Sequence, residues 1–271
     1  MSKPLKYFGG KSPMIKRLLP LLPKITHFRS AFVGSGSLEF YIDPINKSEI
    51  WNDLDSELTN FYEVLRGDSS FKEFQKLCEL TPFSEEVFEI SKLTSNLPLE
   101  YFGTSVHRAW LFFIKNRFSR GGCGISFATS TSRLRRSMNE NVSSWLSCID
   151  GLNDFHQRLK YVEIRKMDFR YFIDKFDRDT SFFYLDPPYP QNTRIAGGYS
   201  FEMTDSDHLD LLNKCKNLSG KFLLHTYPNK VYIDFAVENN FNIKEFELTK
   251  SSSSSKTKPL VKELVITNYL K

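Results

Sequence analysis

No run of about 20 apolar residues interrupts the 271 residues of this chain, and no charged-then-apolar leader opens it, so membrane spanning and secretion are both disfavoured. Cysteine is scarce as well. Cys78, Cys123, Cys148 and Cys215 show no close-spaced ligand pairing, so no metal is implied, and four unpatterned thiols suit a reducing cytoplasm. No internal repeat is visible. A local absence is more telling: from Ser105 to Arg136 the chain has no acidic residue, yet it carries Arg108, Lys115, Arg117, Arg120, Arg133, Arg135 and Arg136. The net charge of +5 and pI near 8.9 decide little alone. Cations clustered in this way are expected to neutralise nucleic-acid phosphates and to bind with a salt-dependent affinity.

Glycine is missing at one further place. The segment Phe28-Arg29-Ser30-Ala31-Phe32-Val33 reads as a short strand that breaks into Gly34-Ser35-Gly36-Ser37, with Leu38, Glu39 and Phe40 opening a helix. That arrangement positions a nucleotide-like ligand at the carboxyl edge of a sheet. A full dinucleotide fingerprint needs a third glycine near Phe40, and its absence counts against a nicotinamide cofactor.

The most informative residues present are Asp186-Pro187-Pro188-Tyr189, directly after the apolar run Ser181-Phe182-Phe183-Tyr184-Leu185. An apolar run stopped by two prolines reads as a buried strand at its carboxyl end. A carboxylate, a proline-fixed carbonyl and an aromatic face converging there suit gripping a planar base by its exocyclic amine. A Pro-rich turn with a surface tyrosine is the alternative. Upstream, Lys6-Tyr7-Phe8-Gly9-Gly10-Lys11 precedes a helix capped by Ser12-Pro13 and carrying Ile15, Leu18, Leu19 and Leu22. Gly9 and Gly10 permit close backbone approach to a ligand, Tyr7 offers a stacking face, and Lys11 a cation for a carboxylate. The strand Glu49-Ile50-Trp51 then runs into Asn52-Asp53-Leu54-Asp55-Ser56-Glu57-Leu58. Asp53 stands where nucleotide-binding folds take up ribose hydroxyls, and Asp55 is better explained as a helix cap. On the plainer alternative both acids cap the following helix.

In this order, Lys-Tyr-Phe-Gly-Gly-Lys at 6–11, Phe-Val-Gly-Ser-Gly-Ser at 32–37, Asn-Asp-Leu-Asp-Ser-Glu-Leu at 52–58 and Asp-Pro-Pro-Tyr at 186–189 resemble the Dam-like, D12-class DNA adenine-N6 methyltransferases, in particular phage- and restriction-type members. The resemblance covers nearly the whole chain and includes Asp168-Phe169, Tyr199, Glu202-Met203-Thr204, His208 and Tyr227-Pro228. It implies a Rossmann-like, S-adenosylmethionine-dependent α/β methyltransferase fold with a mainly helical inserted target-recognition domain. It further implies S-adenosyl-L-methionine as cofactor, double-stranded DNA as partner and, for a restriction-type member, a cognate restriction endonuclease. By the family pattern, Tyr7, Gly10 and Lys11 pack on the cofactor, Phe32, Gly34 and Gly36 lie under its methionine portion, Asp53 takes the ribose, and Asp168 with Phe169 holds the adenine ring. Asp186, Pro187, Pro188 and Tyr189 form the amine-binding catalytic set. Where many relatives carry a small serine after the fifth strand, this chain reads Leu224-His225-Thr226-Tyr227-Pro228, and neither His225 nor Thr226 receives a role.

Residues 1–66 and 161–271 are expected to form the catalytic domain and 67–160 the recognition domain, with helical patterns at Val87-Ile90-Leu93, Ala109 to Ile114 and Trp145-Leu146-Ile149. Within it, Arg117-Phe118-Ser119-Arg120-Gly121-Gly122-Cys123-Gly124 is expected to form a basic loop or hairpin. That loop and the polar stretch Ser130 to Asn139 make Arg117, Arg120, Arg133, Arg135 and Arg136 the candidate DNA contacts. An ordinary solvated turn is the alternative. Ser251 to Ser255, flanked by lysines, is expected to join the last two strands, either touching DNA or forming a plain hairpin tip. Cytosine N4 or RNA adenine as acceptor, and a non-catalytic DNA-binding relative, stand as competing functions. Nothing in the sequence fixes the oligomeric state.

Overall fold

The computed structural model describes residues 4–5, 12–94, 104–190, 201–249 and 260–270. Tyr7, Gly10, Lys11, Tyr199 and the serine run at 251–255 lie outside them. Among the described residues no helix is long and apolar enough to cross a membrane. The chain divides into two compact units. One comprises Met1–Lys11, Gly34–Pro44 and Asp55–Lys166, the other Ser12–Val33, Ile45–Leu54 and Met167–Lys271. The first unit therefore extends past 67–160 on both sides.

The second unit holds helix α1 (Ser12–Leu18) and strands β1 (His27–Ser30) and β2 (Ser48–Asn52). The first unit supplies helices α2 (Ser56–Arg66), α3 (Asp68–Glu79), α4 (Glu85–Thr94) and α5 (Ser105–Phe118), the short strands β3 (Leu134–Arg135) and β4 (Met138–Asn139), helices α6 (Glu140–Asp150) and α7 (Leu152–Leu159), and strand β5 (Val162–Arg165). The rest of the second unit follows as α8 (Phe169–Phe176), β6 (Ser181–Leu185), α9 (Asp205–Asn217), β7 (Lys221–Thr226), α10 (Lys230–Glu238), β8 (Asn242–Thr249) and β9 (Leu260–Thr267).

Six strands of the second unit lie in the order β2-β1-β6-β7-β9-β8. The first four are parallel, whereas β9 runs antiparallel to both β7 and β8. Parallel strands covered on both faces have no reason to alternate, and β6 is buried at every position from Ser181 to Leu185. On one face Phe183, Leu185, Phe222, Leu224, Leu264 and Ile266 form a core with Phe172 of α8, Leu211 of α9 and Tyr232 of α10. Each such fully buried apolar side chain contributes about 1.5–3 kcal/mol. Beside α1, the Arg17 guanidinium donates to the Glu247 carbonyl at 2.8 Å and the Tyr269 hydroxyl to that of Leu21 at 3.1 Å. The last two strands extend beyond their apolar centres, pairing from Asn242↔Thr267 to Thr249↔Leu260.

The first unit is built on aromatic packing. Phe61 of α2 stacks on Phe113 of α5 at 5.4 Å, and Trp145 of α6 meets Phe118 edge-on at 4.9 Å while donating its indole N–H to the Thr81 carbonyl. The helical pattern at Val87-Ile90-Leu93 lies within α4. Phe88 and Ser91 are buried, whereas Ile90 and Leu93 face solvent. Phe88 packs toward Phe127, and its larger apolar area outweighs the aliphatic stripe in setting the helix's rotation. The segment opened by Leu38 is also shorter than expected, a single 3-10 turn at Glu39–Tyr41.

Candidate active site

Asp186 emerges from the carboxyl end of β6, the strand flanked by β1 and β7. Its backbone leaves the ladder because Pro187 and Pro188 carry no N–H to continue it. The Asp186 side chain is half-buried, and the Tyr184 hydroxyl donates to its Oδ2 at 3.4 Å. Pro187 and Tyr189 are buried. The Tyr189 ring lies 4.3 Å from that of Tyr227, tilted by 51°. This tyrosine is thus no surface turn residue. Burial, then the charges of Glu263 and Asp186, push the Tyr227 phenol above its ordinary range, which places two carboxylates near that ring.

A second cluster in the same unit surrounds Asn52, to which the sequence reading gave no role. Its side-chain amide donates to the carbonyls of Ala31 and Met167, both at 3.0 Å, and its carbonyl oxygen accepts from the Met167 N–H at 2.9 Å. The Asn52 main-chain carbonyl accepts from Val33. One side chain therefore ties the ends of β1 and β2 to the residue preceding Asp168, setting Asp53 and Asp168 in neighbouring segments. The signal was present in the sequence as an amide at the tip of a buried strand, where a hydrocarbon would otherwise stand. The Phe32 ring packs on Phe169 at 5.4 Å.

Asp168 caps α8, accepting from the Arg170 N–H at 2.8 Å, and its other oxygen lies 3.0 Å from the Arg170 guanidinium. That guanidinium also pairs with Asp207 and, at 2.8 Å, with Asp210, and it sits 4.5 Å over the Phe169 ring. Arg170 was likewise overlooked, since an isolated arginine after Asp-Phe carries no pattern of its own.

In the first unit, Gly34 and Gly36 both adopt positive φ. A Cβ on Gly36 would stand 2.8 Å from the Phe40 ring, so glycine is required there for packing as well as for backbone geometry. The Tyr62 hydroxyl donates to the Gly34 carbonyl at 2.7 Å and fixes the turn. Asp55 caps α2, accepting from the N–H groups of Glu57 and Leu58, which is the role its position predicted.

The arginines separate. Arg117 does not lie in a loop: α5 continues through Phe118, and the Arg117 side chain is buried, donating to the carbonyls of Pro4 and Ser144. Its expected DNA contact is corrected to an internal structural role, because a guanidinium already enclosed by protein carbonyls is not presented to phosphate. Arg120, by contrast, is exposed on a one-turn 3-10 segment. Arg133, Arg135 and Arg136 are exposed on the β3–β4 hairpin, where Leu134 pairs with Asn139 and Arg135 with Met138. Its two tip residues, Arg136 and Ser137, both adopt positive φ, as a two-residue primed turn requires.

The chain is 25% identical over 295 residues to the modification methylase StsI of Streptococcus sanguinis, covering 99% of this chain and 43% of that protein. It is 22% identical over 284 residues to the type II methyltransferase M1.LlaDCHI of Lactococcus lactis subsp. cremoris, covering 97% of this chain and 94% of the relative. It thus spans less than half the length of the first relative and nearly all of the second. The family model for D12 class N6 adenine-specific DNA methyltransferases matches residues 7–255, and with Asp186-Pro187-Pro188-Tyr189 standing at the carboxyl end of a central parallel strand, the chain belongs to that family.

Proposed function

We propose that this protein is a site-specific methyltransferase that modifies the N6 amine of adenine in duplex DNA, using S-adenosyl-L-methionine and an extruded target base. The observation that carries the reading is Asp186 half-buried at the end of β6 with Tyr189 two residues beyond the Pro187 carbonyl. A conjugated exocyclic amine is a poor nucleophile. Asp186 and the Pro187 carbonyl accept its two hydrogens and favour a more tetrahedral nitrogen, after which alignment does most of the remaining work. When the nitrogen becomes acidic on methylation, Asp186 or a water takes its proton. Extruding the nucleotide costs a few kcal/mol in stacking. On this reading the Tyr189 ring recovers part of that by contact with the base.

The cofactor's contribution when bound is an activated sulfonium methyl group. The donor set fits such a ligand: Asp53 and Asp168 supply carboxylates for hydroxyl and amine hydrogens, and the Phe32–Phe169 pair supplies an apolar ring contact. Gly34 and Gly36, with Tyr7, Gly10 and Lys11, keep the roles that the family pattern gives them. Residues 67–160 are the target-recognition part, with Arg120, Arg133, Arg135 and Arg136 as the arginines available to DNA. The relatives' names, a modification methylase and a type II methyltransferase, support a modification role; on this reading the partner is a cognate endonuclease and the place of action the cytoplasm.

The test is nucleoside analysis of methylation-free genomic DNA incubated with the purified protein and methyl-labelled cofactor. N6-methyladenine is expected from the wild type, and a loss of about a thousandfold from Asp186→Ala. Label in N4-methylcytosine, or transfer to RNA alone, would overturn the acceptor assignment, and an Asp186→Ala protein of wild-type rate would overturn the site.

A further inference from the structure

Beyond the four residues of the catalytic corner, the sheet carries a buried polar group at the same end. His225 is fully buried on β7, and its Nε2 lies 2.6 Å from Glu263 Oε2 of β9, whose side chain is 11% exposed. The strand register explains the meeting. His225 is paired with Val265, two positions from Glu263, so the period of a strand puts both side chains on one face. Tyr227 follows His225 by two residues, just past the end of β7 at Thr226. Tyr184 pairs with Leu223, which places Tyr184 on the same side, and its hydroxyl donates to Asp186 just past the strand. The opposite face is the apolar core of Phe183, Leu185, Leu224, Leu264 and Ile266. Chemistry-bearing residues from three strands thus share one face at one end of the sheet.

A buried imidazole–carboxylate contact is weak evidence for stability, because taking its polar groups out of water offsets much of what the contact returns and an apolar pair of the same volume serves as well. Its worth lies in fixing one geometry. We propose that His225 and Glu263 are a positioning pair for the methyl-transfer reaction: by locking the end of β7 to β9, they hold Tyr227 against Tyr189 and so set the ring that receives the target base. The proposal rests on the reading of Asp186–Tyr189 as the amine-binding corner and extends it to residues outside that corner. Neither residue contacts Tyr189 itself among the described interactions. The link runs through Tyr227, whose ring is 4.3 Å from that of Tyr189.

The experiment uses the full-length protein, tritiated S-adenosylmethionine and methylation-free genomic DNA, with His225→Asn, Glu263→Gln and the double variant. A misplacement of about 1 Å costs up to about a hundredfold in rate. Each single variant is therefore expected to lower kcat by about tenfold or more, with cofactor affinity within about twofold of wild type by equilibrium binding. The double variant is expected to be no slower than the worse single one, as residues acting as a unit behave. Tyr227→Phe, which keeps the ring, is expected to retain most of the rate, and Tyr227→Ala to reproduce the defect. Wild-type kcat in folded His225→Asn and Glu263→Gln would overturn the proposal. So would loss of cofactor affinity in step with kcat, the mark of a merely structural pair. Full turnover by Asp186→Ala is a separable outcome: it removes the corner itself, and the pair's role with it.

Discussion

The carboxyl end of the sheet and the arginine-rich stretch both announce chemistry in the sequence, yet the structure treats them differently. At the end of β6 the residues the pattern singles out are where the chain order puts them, Asp186 directly beyond the buried strand and Tyr189 packed on Tyr227. In the acid-free stretch, two arginines of identical charge differ in kind. Arg117 is enclosed by carbonyls of its own unit, while Arg136 stands exposed at a hairpin tip. Strand ends are read from sterics that act locally, whereas a cation's use depends on neighbours that local sequence does not name.

The largest expected effect belongs to the buried arginine. Arg117→Ala removes the guanidinium's bonds to the Pro4 and Ser144 carbonyls and opens a cavity, which is expected to cost about 3 kcal/mol in urea unfolding. The DNA affinity of the protein that remains folded is expected to be unchanged. A stable Arg117→Ala protein with weakened DNA binding would erase the distinction between the two kinds. At the sheet end, Tyr189→Ala is expected to lose turnover by about a hundredfold while keeping cofactor affinity, since base–aromatic stacking is worth about 1–3 kcal/mol. Tyr189→Phe, which preserves the ring, should stay near wild type in the same assay. Smaller again is Arg136→Ala, for which affinity is expected to fall by about 1 kcal/mol. Its salt slope should be shallower by about one, with an unchanged melting temperature. An unaltered salt slope would move Arg136 out of the DNA-facing group.

Much of the second unit was legible because its signals are short-range. Two prolines end β6 and the strand Glu49 to Trp51 reads as β2 from its apolar residues, and in the first unit Asp55 caps α2 through its own side chain. What escaped was contact over distance. Asn52 meets Met167 across 115 positions, and His225 meets Glu263 only once the register of β7 and β9 is set. Arg117 was misplaced because Gly121 and Gly122 suggest a loop starting earlier than it does, and α5 runs on through Phe118. The β3–β4 turn was hidden for the opposite reason: Arg136 and Ser137 take positive φ without the glycine or asparagine that ordinarily marks it.

Arg170 sharpens the contrast as a third kind of arginine, half-buried with its charge taken up by Asp168, Asp207 and Asp210. Burial alone would raise the Asp207 carboxyl, but hydrogen bonds from Arg170 and Thr204 outweigh it and hold the group at about 2, against an ordinary 3.8. A carboxyl depressed on folding contributes stability that is present above the unfolded value and lost as pH falls through the folded one. The contribution should therefore be complete at pH 5 and above and disappear between about pH 4 and pH 2. With the Asp207 side chain 26% exposed, solvent screening trims it to about 1 kcal/mol. Asp207→Asn is accordingly expected to be about 1 kcal/mol less stable than wild type in urea titrations at pH 6, and the gap should close as the titrations are repeated toward pH 2. A gap that persists unchanged at low pH would mean that Arg170 draws nothing from the ionised carboxylate, and that this arginine belongs with Arg117 as a residue valued for its packing.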